Sequence, residues 1–137
     1  ALLILTSALT EIRIDAATQT AWVGAGAQWG MVLEAAQQHG LAPLLGSSPK
    51  VGVVGYTLGG GMGWLARKYG MALDSVLAFE VVTADGRALH VSERENAELF
   101  WGMRGGSGSL LHSSTLAALG LSSAGGGRMR SWNRASS

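Results

Sequence analysis

A chain of 137 residues, 47% apolar and only 14% charged, forms at most one domain and holds more apolar bulk than a small body buries alone, which points to part of something larger. Its net charge of +1 leaves no nucleic-acid footprint, and its zero cysteines exclude disulfides and thiolate metal sites while leaving the compartment undecided. No apolar run reaches the roughly 18 residues of a membrane helix.

In chain order, Leu2–Leu5 is apolar without a basic flank and reads as a strand rather than a signal peptide. Ile12 and Ile14 alternate with polar residues, Asp15 to Gln19 is turn-like and Thr20–Val23 favours β-structure, which predicts a hairpin. Trp29, Val32, Leu33 and Ala36 fall at helical spacing, so a helix is expected over Trp29–His39, ending at Gly40. Val76–Thr83 reads as a buried strand, turned by Asp85-Gly86 into Ala88–Val91. Asn96 is placed to cap a helix over Ala97–Met103, which Arg104-Gly105 ends. Without a regular βαβ rhythm the fold class is α+β, with an antiparallel or mixed sheet and flanking helices. Trp22, Trp29, Trp64 and Trp101 read as core or half-buried aromatics.

The stretch GSSPKVGVVGYTLGGGMGWLARKYG, Gly46 to Gly70, concentrates glycine where a backbone must approach a ligand. Gly59-Gly60-Gly61-Met62-Gly63 running into Met62–Tyr69 reads as a loop feeding a helix N-terminus, suited to a phosphate. It is not a Walker loop, because Gly61 is followed by Met62 and Gly63, and its spacing is not that of a dinucleotide-binding turn. Alone, the run fits a glycine-rich surface loop as well as a phosphate cradle.

The longer pattern adds Val51-Gly52-Val53, Arg67-Lys68-Tyr69-Gly70-Met71-Ala72-Leu73-Asp74, Glu80-Val81-Val82-Thr83-Ala84-Asp85-Gly86 and Asn96-Ala97-Glu98-Leu99-Phe100-Trp101-Gly102-Met103-Arg104-Gly105-Gly106. With Arg13-Ile14-Asp15 and Val23-Gly24-Ala25-Gly26-Ala27-Gln28-Trp29 upstream, it resembles the PCMH-type FAD-binding domain of berberine-bridge-enzyme-like oxidases, of the vanillyl-alcohol oxidase superfamily. The resemblance covers residues 1–108, mainly the second lobe of that domain, and lacks its N-terminal flavin loop and the later substrate domain. From Ser107 the character changes. Residues 109–137 read as a divergent, disordered tail, of the kind a frame change, a retained intron or a truncated gene model would produce. Proteolysis is expected first at Arg128, Arg130 or Arg134.

The resemblance implies FAD as cofactor, in an oxidase that takes a hydride from an alcohol or amine carbon and passes electrons to oxygen. It places Gly46, Ser47, Gly52, Gly55, Tyr56, Gly59, Gly60 and Gly61 along the diphosphate and flavin, and the Val82 backbone at the adenine end. A β-branched residue at Gly60 is expected to lower FAD affinity. Ser48 stands where relatives carry a cysteine tether to the flavin. His39, His90 and His112 do not match the histidine tether, and no catalytic residue or metal ligand is assigned. Lys50 reads as a solvated loop lysine, and Arg67 and Lys68 as cations at a helix C-terminus. Asp74 reads as a turn former. A small-molecule substrate belongs only to a full-length form, and neither nucleic acid nor membrane is an expected partner. An isolated chain of this extent is expected to hold FAD weakly. Two alternatives stay open: a non-catalytic remnant that does not bind FAD tightly, and another oxidoreductase of the same fold.

Overall fold

The computed structural model describes residues 3–106 and, as backbone, Leu116–Ser122. Strand β1 (Ile12–Asp15) pairs antiparallel with β2 (Thr20–Val23), Ile12 opposite Val23. Asp15 closes the turn between them, its Oδ1 accepting from the amides of Ala17 at 2.9 Å and Thr18 at 3.2 Å. Helix α1 (Trp29–Gln37) buries Trp29, Val32 and Ala36 along one stripe. It stops where Gly40 takes φ +66°, and the Leu41 amide folds back onto the Ala36 carbonyl at 3.1 Å.

Two short helices follow, α2 (Val53–Leu58) and α3 (Ala66–Tyr69), then a 3-10 turn over Ala72–Ser75. Strands β3 (Val76–Val82) and β4 (Ala88–Ser92) form the second hairpin, Phe79 opposite Val91. Gly86 turns it at φ +82°. The Asp85 carboxylate accepts from the Thr83 hydroxyl and from Arg87 Nε, and these two bonds, the Thr83 one foremost, hold its pKa below the usual value. Helix α4 (Ala97–Met103) buries Phe100 and Met103.

The described strands make one antiparallel sheet in the order β1-β2-β5-β3-β4, with β5 being Leu116–Ser122. One face carries Ala21, Val23, Phe79, Val81 and Val91 into a core shared with α1, α2 and α4. Phe79 meets Phe100 at 5.9 Å between ring centroids. The opposite face mixes charged and apolar side chains. There Arg13 lies 4.5 Å from the Trp22 ring, and His90 Nδ1 lies 2.7 Å from Glu80 Oε1.

Several expectations need correction. Leu3–Leu5 forms no strand among the described residues, and Leu3 and Leu5 are exposed. Trp64 and Trp101 are not core aromatics, being 83% and 82% exposed, whereas Trp29 is buried. Asn96 precedes α4 as expected, but it does not cap the helix amides. It adopts the left-handed conformation, and its side-chain amide donates to the His90 carbonyl at 2.7 Å, tying α4 to β4. The segment expected as a tail contributes β5, which joins the two hairpins into one sheet. A Leu- and Ala-rich run can fill a place between two strands through backbone pairing alone. Residues 107–115 and 123–137, including His112, Arg128, Arg130 and Arg134, lie outside the described residues.

Candidate cofactor site

The sequence of α2, VVGYTL, favours strand over helix, yet it folds as a helix because one side of it is buried. Val53, Val54, Thr57 and Leu58 enter the core, and the buried Thr57 hydroxyl is satisfied by the Val53 carbonyl at 2.8 Å. The other side presents Gly52, Gly55, Tyr56 and Gly59, with the three glycines exposed. Gly52 has φ −66° and Gly59 φ −80°, values any residue adopts. A Cβ added to Gly55 would meet nothing within 4 Å, and one on Gly52 would only reach the Ala27 carbonyl at 4.0 Å. A glycine inside a helix costs roughly 0.5–1 kcal/mol relative to alanine. Packing within the chain gives no reason for that cost at Gly55. A bare backbone face open to an external group does.

The loop from Gly46 to Gly52 is fastened beside this face. The amides of Trp29 and Gly30, at the start of α1, donate to the carbonyls of Val51 at 3.0 Å and Pro49 at 2.8 Å. The Val53 amide donates to Ala27 at 3.0 Å. These bonds consume the α1 N-terminus and fix the loop. Within the described residues, the backbone N–H groups of Gly46, Ser47, Ser48, Lys50 and Gly52 donate no hydrogen bond. A fixed run of uncommitted amides is what a dianionic diphosphate needs where side-chain cations are few. Exposed Lys50 is a nearby positive charge.

Gly60, Gly61 and Gly63 sit in a more crowded setting. Gly60 and Gly61 are buried, with φ +107° and +72°. A Cβ on Gly60 would stand 2.8 Å from Met71 Cε, and one on Gly61 would stand 2.9 Å from Tyr56 Cε1. One on Gly63 would stand 2.9 Å from the Tyr56 hydroxyl. The carbonyls of Gly60 and Gly61 accept from the amides of Leu73 at 3.1 Å and Ala72 at 2.9 Å. The run therefore ends α2 instead of opening a helix at Met62, and α3 begins only at Ala66. A β-branched residue at Gly60 is therefore expected to strain the fold as well as to lower FAD affinity.

Gly46 packs against the Tyr56 ring, and Tyr56 meets Trp29 edge-on at 5.5 Å between centroids. The Tyr56 hydroxyl and Trp29 Nε1 are both buried without a hydrogen-bond partner. Burial pushes the Tyr56 phenol above 10.0, so it stays protonated at neutral pH and keeps a donor. Gly46 thus touches Tyr56, whose helix carries Gly52, Gly55 and Gly59 on its exposed side, while Gly60 and Gly61 are buried. Val82 is not among them. It closes β3, six residues beyond Val76 and so roughly 20 Å along the strand. Its backbone faces Ala88 and Leu116 in the sheet, which leaves its half-exposed side chain outward. That the Ser48 and Lys50 amides would stand without a partner was not anticipated. The proline between Ser48 and Lys50 was the available signal for a loop with free donors. Among the described residues, no group of three His, Cys, Asp or Glu side chains converges on a metal site, and no helix is long and apolar enough to cross a membrane.

The chain thus combines an antiparallel sheet backed by helices with a glycine-faced helix and a loop of free amides. Residues 1–92 match the FAD binding domain family, and the chain belongs to that family, with FAD as its cofactor. It is 42% identical over 97 residues to (R)-6-hydroxynicotine oxidase of Paenarthrobacter nicotinovorans, covering 71% of this chain and 21% of that protein. It is 41% identical over 106 residues to the berberine bridge enzyme-like D-2 protein of Nicotiana tabacum, covering 74% of this chain and 18% of that one. Among solved structures, 6-hydroxy-D-nicotine oxidase of Arthrobacter nicotinovorans superimposes with a TM-score of 0.75 at 36% identity, over 83% of this chain and 24% of that one. Glucooligosaccharide oxidase of Acremonium strictum, a 6-S-cysteinyl, 8α-N1-histidyl FAD enzyme, superimposes at 0.75 with 35% identity, over 85% and 24%. This chain spans about a fifth of the length of the curated relatives it matches. It contains no cysteine, so a cysteinyl link to the flavin has no partner here.

Proposed function

We propose that residues 1–108 hold the diphosphate of FAD within an oxidase of alcohol or amine carbons that passes electrons to oxygen. Bound FAD supplies the hydride-accepting chemistry. This chain's residues bind and orient it: Gly46, Ser47, Ser48, Lys50 and Gly52 offer backbone amides, and Gly55 and Gly59 let the cofactor lie against bare helix backbone. The Tyr56 ring backs that surface from beneath, and Val82 belongs to the adenine end. The substrate is read by parts of the whole protein beyond this cradle. The observation that carries the reading is the pairing of uncommitted amides at 46–52 with an open glycine face at Gly52 and Gly55.

Flavin fluorescence during titration of the chain, carried into the millimolar range, tests it. FAD is expected to bind saturably with one site, ADP to compete with it, and riboflavin, which has no diphosphate, to bind far less. Riboflavin binding as well as FAD, or ADP failing to compete, would contradict the diphosphate assignment.

A further inference from the structure

The glycine turn beneath the cradle is held from the far end of the domain. At the end of α4, Arg104 Nε donates to the Leu73 carbonyl at 3.1 Å, across 31 residues of sequence. Its Nη2 lies 3.8 Å from Asp74 Oδ1, and Asp74 Oδ2 accepts from the Met71 amide at 2.8 Å. The guanidinium also lies 5.4 Å from the Phe100 ring, and the side chain is only 29% exposed. From the 3-10 turn the path continues inward. The Leu73 amide donates to Gly60 at 3.1 Å, the Ala72 amide to Gly61 at 2.9 Å, and the Gly60 amide to Thr57 of α2 at 2.9 Å. A continuous hydrogen-bonded chain therefore runs from Arg104 to the helix whose glycine face forms the cradle.

We propose that Arg104 is a positioning residue of the cofactor site. It touches neither the loop amides nor the glycine face. It holds the 72–75 turn, which holds Gly60 and Gly61, which set where α2 ends and how its bare face is presented. A planar guanidinium suits the task, because it can donate to the Leu73 carbonyl and face the Asp74 carboxylate at once. An ammonium, being one compact charge, can do one of these well. The proposal rests on the FAD reading for its consequence, but the positioning itself is a property of the free protein.

The test has two arms. In the first, amide hydrogen exchange is measured without FAD. Arg104→Ala is expected to raise exchange at Ala72 and Leu73 by about tenfold more than at Val32 in α1, which reports global opening. In the second, FAD titration of the same variant should show affinity about tenfold weaker, or about 1.4 kcal/mol. Arg104→Lys should recover part of both effects, and Arg13→Ala, an exposed arginine on the far face, should move neither. Exchange at Ala72 and Leu73 that rises only in step with Val32, or not at all, would overturn the positioning role. Raised exchange with unchanged FAD affinity would overturn the link to the cradle. If wild-type chain binds no FAD, the functional reading fails, while the exchange arm still decides whether Arg104 holds the turn.

Discussion

Replacing Gly61 with valine is expected to destabilise the domain severely. Gly61 sits at φ +72°, where a β-branched residue is strained, and that strain costs on the order of 1–3 kcal/mol. The new side chain would also be driven into Ala72 and against Tyr56, whose Cε1 lies 2.9 Å from the Cβ position. Overpacking of this kind adds roughly 1–3 kcal/mol. The neighbours have little room to give, because Tyr56 is wedged between Trp29 and Gly46, and Ala72 is pinned by its bond to the Gly61 carbonyl. Together the losses reach about 2–6 kcal/mol, against a total stability of about 5–15 kcal/mol for ordinary domains. Urea denaturation should show a midpoint far below that of wild type. An unchanged midpoint would mean that the turn at Gly60–Gly61 is not built as described.

Gly55→Leu should do the opposite to the fold and greater damage to the cofactor. Gly55 lies within α2, its side is exposed, and a Cβ there meets nothing within 4 Å. Leucine is a good helix former, so the fold should gain up to roughly 0.8 kcal/mol. The same side chain would stand on the bare face where the diphosphate is proposed to lie. FAD affinity should fall by about tenfold or more, that is by at least about 1.4 kcal/mol. A more stable protein that binds its ligand worse is a signature that general destabilisation cannot produce. Gly55→Leu protein that keeps wild-type FAD affinity would remove α2 from the site.

The contrast between these two glycines marks the limit of what was legible in the sequence. Both belong to one glycine-rich stretch, and their letters are the same. Only the backbone separates Gly61, which needs a left-handed conformation and has no room, from Gly55, which needs neither. The hairpins at Ile12–Val23 and Val76–Ser92 were legible because alternation and a turn signal agree there. Helices α1 and α4 were legible because apolar residues recur at helical spacing. Helix α2 was not, because Val53, Val54, Thr57 and Gly55 all disfavour helix locally, and burial of one side overrides them. The exposure of Trp64 and Trp101 was hidden because aromatic identity points to burial while neighbours decide it. Strand β5 was hidden by its surroundings, since serine and glycine dominate the segments on either side. The family resemblance located the glycine-rich stretch, and the geometry divided it into exposed glycines on α2 and buried glycines in the turn that ends it.

The most direct test of the cradle is a map of where FAD acts on the backbone. Amide chemical shifts of labelled chain should be followed as FAD is added. The largest changes are expected at Ser47, Ser48, Lys50, Gly52 and Gly55, with Gly60 and Gly61 changing less and Val32 and Val91 staying still. Changes centred elsewhere, or spread evenly over the domain with none concentrated between Gly46 and Gly59, would contradict the account.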